Sequence, residues 1–289
     1  MPSKTKTIRK IEKNRKNVVH NDTFNSMAEI MARLGYGVRG LIYFIMGLLA
    51  LLISLGSVGN TTDQQGTIAT IGKQPGGRIL LWLVLLGLIS YSLWALIEAV
   101  LNPLYKNNDK KGIAKRVTYL FISISYAFLA IATYSLIIGG AKPAHNGKQG
   151  AETQNYVAKI LTMPLGQILV FLIAIIVILA GIFQVYKGII PGFERRLYLI
   201  KLTQAQQKWV KDLGRFGTIS RGIIIILIGI FLIIAAYTSN SNEAKGFSSA
   251  LMSLMHQPYG AWLMGGIALG LMSFGIYSLS IALFFRLRK

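Results

Sequence analysis

No cysteine occurs in these 289 residues. That excludes disulfides, thiolate nucleophiles, iron–sulfur clusters and Cys-based zinc sites. Charge is scarce too, at 14% of residues, against roughly 25% in a soluble domain. Acidic groups are scarcer still, ten Asp and Glu against 31 Lys and Arg, for a net charge of +21. The three histidines, His20, His145 and His256, are far apart and form no His-x-x-x-His or Glu–His spacing. No metal site and no cofactor are therefore expected. No Ser, His and Asp set falls at one depth, and buried nucleophile–base pairs are what an intramembrane hydrolase needs. An enzyme is not expected. What remains is 53% apolar residues and a mean hydropathy of +0.52. A chain both apolar and basic reads as a membrane protein with basic ends and loops.

Six stretches are free of charge and near the roughly 20 residues that a spanning helix needs. They are Gly40–Ser57, Ile79–Ile97, Val117–Ala141, Ile160–Tyr186, Gly222–Asn242 and Gln257–Phe285. They lack the alternation of about ten-residue segments that marks an outer-membrane barrel. The fold class expected is an all-α integral membrane bundle of six transmembrane helices. The first stretch reads as a span and not a cleaved leader, because the region before it exceeds a normal signal n-region. Lys and Arg set the orientation. Twenty-five fall on one side, in the leading tail, the loops after the second and fourth spans, and the C-terminal end; six fall on the other. Both termini are thus expected in the cytoplasm, with the protein in a bacterial plasma (inner) membrane.

The chain repeats itself. Aligning Arg33 with Arg215, just before spans 1 and 5, also aligns Arg39 with Arg221, Gly40 with Gly222 and Gly47 with Gly229. Arg116 and Tyr119 before span 3 match Arg33 and Tyr36 more weakly, and Tyr126 then coincides with Tyr43. Each even span opens on Pro-x-Gly, at Pro75, Pro164 and Pro258, and twelve residues on stand Gly87, Ile176 and Gly270. Three copies of a two-helix hairpin, each returning to its starting side, are parallel repeats about an axis along the membrane normal. They predict a pseudo-threefold six-helix bundle.

With its Ala32-Arg33-Leu34-Gly35-Tyr36-Gly37-Val38-Arg39-Gly40 lead, its Pro-x-Gly hairpins and its triple repeat, the chain resembles the DUF1206 family of bacterial membrane proteins from about Met27 to Lys289. The middle copy departs from the pattern, with Ile122 in place of the second Arg and Ser123 in place of the Gly. The family is named for its unknown function, so the resemblance implies a fold and a location and no reaction.

The organisation expected is a basic, disordered cytoplasmic tail over 1–25, repeat 1 over 26–105, repeat 2 over 106–190, an amphipathic cytoplasmic linker over 191–213 and repeat 3 over 214–289. Ser26-Met27-Ala28-Glu29 has the form of a capping box. It suggests a surface helix leading into span 1, or else the polar end of that span. Leu197, Ile200, Trp209 and Leu213 among basic residues suit an interfacial helix over 194–213. Short outer-surface helices are expected at the ends of the outer loops, as at 247–255, with the break at Pro258. The basic faces predict anionic lipid headgroups as partners. No nucleic acid is expected, because the tail has neither aromatic interleaving nor a binding fold.

Gly35 to Gly40 matches G-x-G-x-x-G, but without the strand and βαβ unit that a dinucleotide site requires. Arg39 and Arg221 sit at the inner ends of their spans, where snorkelling to phosphates competes with an ion pair or anion site. Glu98 is the one carboxylate near a span interior, and Arg39 is its natural partner across the first hairpin. Gly266 and Gly270 form a GxxxG face, for packing within the bundle or against a second copy. The candidate structural or functional set is thus Arg33, Arg39, Gly40, Pro75, Glu98, Pro164, Arg215, Arg221, Gly222, Pro258, Gly266 and Gly270. Scattered hydroxyls, richest in span 3 at Ser123, Ser125 and Tyr126, line a hydrated path or bond neighbouring backbone.

Two functions stay open. One is a scaffold or accessory protein acting on lipid, a protein partner or a second copy through its basic cytoplasmic face or its helix faces. Coupled carriers keep acidic groups near mid-membrane, and this chain has none there. The other is a channel or passive carrier for a small neutral solute along the repeat axis. The arrangement resembles that of mitochondrial carriers, yet their Pro-x-acid-x-x-base motif on odd helices is absent.

Overall fold

A computed structural model describes residues 22–56, 63–101, 110–139, 151–190 and 203–284. It is all-helical over these residues. Six helices are long and apolar enough to cross a membrane: α1 (Asp22–Ser54), α3 (Gly77–Val100), α4 (Lys110–Ile137), α6 (Gly166–Ile189), α7 (Gln204–Thr238) and α9 (Gly260–Phe284). Helices are the natural solution, because in hydrocarbon each backbone amide must find its partner within its own segment. Three short helices, α2 (Gln64–Gly72), α5 (Ala151–Leu161) and α8 (Phe247–Met255), precede the even-numbered spans. The protein is a multi-pass integral membrane protein built from three repeats.

The three Pro-x-Gly signals become one turn made three times. Each short helix stops three residues before its Pro, and each span starts two residues after it. The intervening residue is left-handed in every copy: Gly76 (φ 75), Leu165 (φ 64) and Tyr259 (φ 60). The amide of Gly77 donates to Gln74, that of Gly166 to Met163 and that of Gly260 to Gln257, at 2.7, 2.9 and 2.8 Å. Pro at the second position and a positive φ at the third define a type II turn. The closing Gly has no room for a side chain. A Cβ there would strike the carbonyls of Gly72, Ile160 or Leu254 at the end of the short helix.

The spans pack in the order α4, α3, α1, α9, α7, α6. The three interfaces between repeats, α3–α4, α6–α7 and α9–α1, are equivalent and all formed. Each closes on small residues in one register. Gly275 meets Gly40, and a Cβ on Gly275 would lie 2.8 Å from the Gly40 carbonyl. Gly181 meets Gly222, with 2.9 Å for the same contact. In the third interface the pair is Ser92 and Ser123, and each Oγ donates to the other's carbonyl at 2.9 Å. Small residues let membrane helices approach until backbone dispersion holds them.

Within the repeats the symmetry ends. Hairpins 1 and 3 are closed: Gly87 abuts Val38 and Gly270 abuts Ser220, while Gly35 abuts Tyr91 and Gly217 abuts Phe274. The middle hairpin has Ile176, Phe121 and Thr118 at the matching places, all exposed. Its helices α4 and α6 share no packed interface among the described residues. The six helices therefore form a ring opened at one point, and α6 buries the least of its length while α9 buries the most.

Two expectations about helix ends change. α1 runs unbroken from Asp22 to Ser54, so Ser26–Glu29 lies inside the helix and caps nothing; Glu29 instead pairs with Arg33 at 2.7 Å. The capping box is at Thr203 and Gln206, at the start of α7. Residues 204–213 are the first turns of α7 and not a separate interfacial helix. Most of the basic tail, up to residue 21, and the linker stretch 191–202 lie outside the described residues.

Candidate functional site

Two tiers of arginine enter the bundle from the end where the chain begins. The first tier is Arg33, Arg116 and Arg215, one per repeat, and each meets a local carboxylate or carbonyl. Arg33 pairs with Glu29 at 2.7 Å and Arg215 with Asp212 at 3.6 Å. Arg116 donates to the carbonyls of Ala99 and Val100 at 2.7 and 3.2 Å, closing the C-terminal end of α3. A cation there answers the open carbonyls of a helix end.

The second tier, Arg39 and Arg221, lies deeper. Arg39 is fifteen residues before the end of α1, about 22 Å at 1.5 Å per residue. Arg221 is seventeen before the end of α7, about 26 Å by the same rise. A hydrocarbon core is about 30 Å thick, so both belong to its half nearer the termini. Neither turns away toward the bilayer surface. Arg39 Nη1 donates to the Tyr91 hydroxyl at 2.7 Å, and its Cζ lies 4.6 Å from the ring centre of Phe274. The Arg221 Cζ lies 4.7 Å from that ring and 4.8 Å from Tyr43. Phe274 thus serves two guanidiniums, and Tyr43, 6.0 Å from Arg39, serves both as well. Faces of this kind offset part of the cost of burying a cation.

The rings form a cage. Tyr91 meets Tyr36 edge-on at 5.3 Å and Tyr126 at 4.5 Å, and Tyr43 meets Phe274 at 4.9 Å. Tyr126 stands within the electrostatic field of both arginines. Glu98 is fully buried and lies seven residues past Tyr91 on α3, about 10 Å farther along the helix. Its field reaches Tyr36. The expected Arg39–Glu98 pair is not what the structure builds, because Arg39 is spent on the nearer Tyr91 hydroxyl.

Above the cage the axis is filled. α2 folds into the bundle, with Thr67 and Ile68 buried and Gln64 Nε2 donating to the Tyr43 hydroxyl at 2.8 Å. Ile42, Met46, Leu88, Met264 and Leu271 complete that packing. Asp63 caps α2 through the Gly66 amide at 2.8 Å. Burial raises its carboxyl above the usual range, and the hydrogen bonds from the Gly66 and Gln65 amides oppose that rise. Three span hydroxyls turn back on their own helices: Ser125 donates to Phe121, Thr133 to Leu129 and Ser273 to Leu269.

Other sequence candidates scatter by role. Gly40 and Gly222 lie in the repeat interfaces. Pro75, Pro164 and Pro258 are in the turns. Gly270 packs in hairpin 3, while Gly266 is exposed with open space beyond it, so the two do not work as one face. Tyr91, Phe274, Tyr43 and Ser92 were not among the candidates. Counting from each Pro finds all but Tyr43: sixteen residues on stand Tyr91, Ala180 and Phe274, and seventeen on stand Ser92, Gly181 and Gly275.

A family model described as Domain of Unknown Function (DUF1206) matches residues 34–102, 117–190 and 216–284. The chain is 31% identical over 247 residues to the uncharacterized protein YxxB of Bacillus subtilis (strain 168), covering 86% of this chain and 87% of that one. No solved structure matches it.

Proposed function

This chain belongs to the DUF1206 family, and we propose that it is a non-enzymatic scaffold or accessory protein of the bacterial plasma membrane. It acts through its basic cytoplasmic face and its helix faces, on anionic lipid headgroups and on a protein partner or a second copy. The distribution of Lys and Arg supports cytoplasmic termini. The observation that carries the reading is the filled axis. α2 is seated in it down to the Gln64–Tyr43 hydrogen bond, and the hydroxyls of Ser125, Thr133 and Ser273 are used up on carbonyls of their own helices. A solute path would need free polar groups along that axis.

The absence of native cysteine provides the test. Single cysteines replace Ile42, Met46, Tyr126 and Met264 on the axis, and Gln207 and Lys208 at the cytoplasmic start of α7. A membrane-impermeant maleimide is applied from each side of sealed vesicles. This reading expects labelling at 207 and 208 from the cytoplasmic side alone and none on the axis. Labelling of the axis set, repeating with the helical period, would move the protein to the alternative, a passive path for a small neutral solute.

A further inference from the structure

Among the described residues the second-tier arginines make no ion pair. In the first tier every guanidinium meets a carboxylate or helix-end carbonyls. In the second, among the described residues, neither Arg39 nor Arg221 lies within ion-pair distance of a carboxylate, and both approach the same Phe274 ring. The Nε of Arg39 is buried with no hydrogen-bond partner, as is that of Arg215, but Arg215 has a carboxylate beside it and Arg39 has none. Two like charges in low dielectric repel, and burying a cation with no counter-ion and its hydrogen bonds only partly made is costly. Cation–π contacts offset only part of that cost. An arrangement held at this expense is poised for an anion.

The cage also has an open side. Repeats 1 and 3 supply an arginine and an aromatic each, Arg39 with Tyr91 and Arg221 with Phe274. Repeat 2 supplies Ile122 and Ala180 at the same places, and Ala180 is exposed. That is also the side where α4 and α6 share no interface. The gap faces the hydrocarbon, and its rims are apolar: Phe121, Ile124 and Phe128 on α4, Ile173 and Ile176 on α6, all exposed.

We propose that Arg39 and Arg221 form a binding site for an oxyanion of the phosphate type, with the Tyr91 hydroxyl beside it. The planar forks of two guanidiniums match the oxygens of a phosphate or phosphodiester and bind them in pairs. Chloride offers no such match. The site is independent of the scaffold reading, since it needs neither a partner nor a path across the membrane. Two sources carry this chemistry: the headgroup of an anionic lipid, its chains in the α4–α6 gap, or a soluble phosphate entering from the end that holds the termini.

The full chain is purified and placed in nanodiscs of phosphatidylcholine. Phosphatidylglycerol is then introduced as one arm and inorganic phosphate as the other, with adducts counted by native mass spectrometry and the thermal midpoint followed in parallel. Wild type is expected to take one tightly held adduct. Arg221→Gln weakens it by at least about tenfold, the loss of a charge-assisted hydrogen-bond pair. Arg39→Gln does the same, and Arg221→Lys, which keeps the charge and loses the fork, falls between. Lys73→Gln with Lys159→Gln, exposed at the ends of the short helices α2 and α5 on the opposite side, leaves the adduct unchanged. Saturation by phosphatidylglycerol alone assigns the site to a headgroup, and saturation by phosphate assigns it to a soluble anion. No adduct in either arm, or one lost with the surface lysines and kept in Arg221→Gln, overturns the proposal. Should Arg221→Gln fail to fold, Arg221→Lys decides: an affinity equal to wild type overturns it.

Discussion

Hairpins 1 and 3 are closed and the middle hairpin is open, although all three share one turn and one register. The difference lies in a few side chains. Where the closed hairpins have Gly87 against Val38 and Gly270 against Ser220, the open one has Ile176 and Phe121. Where they have Gly35 and Gly217, it has Thr118. Membrane helices gain nothing from hiding apolar surface from lipid, so association depends on close approach. Large residues on both facing surfaces remove that approach, and the helices separate. The interface between repeats survives in the same copy because Ser92 and Ser123 remain small and add two hydrogen bonds. In this fold the joints between repeats hold the ring, and the hairpins are optional.

The largest expected effect follows from that ranking. Gly181→Val puts methyl groups against the Gly222 backbone in the one long interface that α6 makes. It should cost about 3 kcal/mol and release α6, seen as protease sensitivity in the third and fourth spans and an earlier unfolding midpoint in detergent. Next, Gly87→Ile with Gly35→Thr gives hairpin 1 the residues of the middle hairpin. It should open α1 from α3, abolish a cysteine cross-link between them and leave the α1–α9 cross-link intact. Third, Ser92→Ala with Ser123→Ala removes the reciprocal bonds at about 1 kcal/mol each, and Ser→Gly at both positions, which copies the other two joints, should cost less. Fourth, the turns differ at one residue: Leu165 is left-handed where Gly76 is free to be. Leu165→Gly should raise stability by about 1 kcal/mol, and Gly76→Leu should lower it by a similar amount.

The smallest effect is in pH. The folded carboxyl of Asp63 is raised above its unfolded value, first by burial. Its protonated form is therefore favoured by folding, and the contribution is full below the unfolded carboxyl range and lost as pH rises through the raised folded value. Protection factors in α2, exchange rates taken relative to the unstructured chain at the same pH, should rise modestly from about pH 7 to about pH 4, and Asp63→Asn, which keeps the cap, should flatten that dependence.

The span count, the triple repeat and the turn were legible because each leaves a mark of composition or spacing: charge-free runs, aligned arginines and Pro-x-Gly. The open hairpin was half legible. Ile122, Ser123 and Ile176 already marked the middle copy as divergent, but no count of residues says whether a bulky side chain faces a partner or lipid. The arginine cage was least legible. Arg39 and Arg221 stood out, and the ordinary expectation for arginine at a helix end is the bilayer surface. Their inward turn depends on rings from three other helices, Tyr91 on α3, Tyr126 on α4 and Phe274 on α9. The continuous α1 was one of two readings left open for a local reason, since Ser26–Glu29 fits a capping pattern equally well inside a helix that starts at Asp22.

The most direct test places nitroxide pairs at three equivalent, lipid-exposed positions: Leu41 with Leu86, Ile124 with Ile175, and Ile223 with Leu269. Each pair spans one hairpin, and with no native cysteine each needs only two substitutions. Pulsed dipolar distances in nanodiscs should agree for the first and third pairs and be clearly longer for the Ile124–Ile175 pair. Three equal distances would mean a closed threefold ring and would contradict the account.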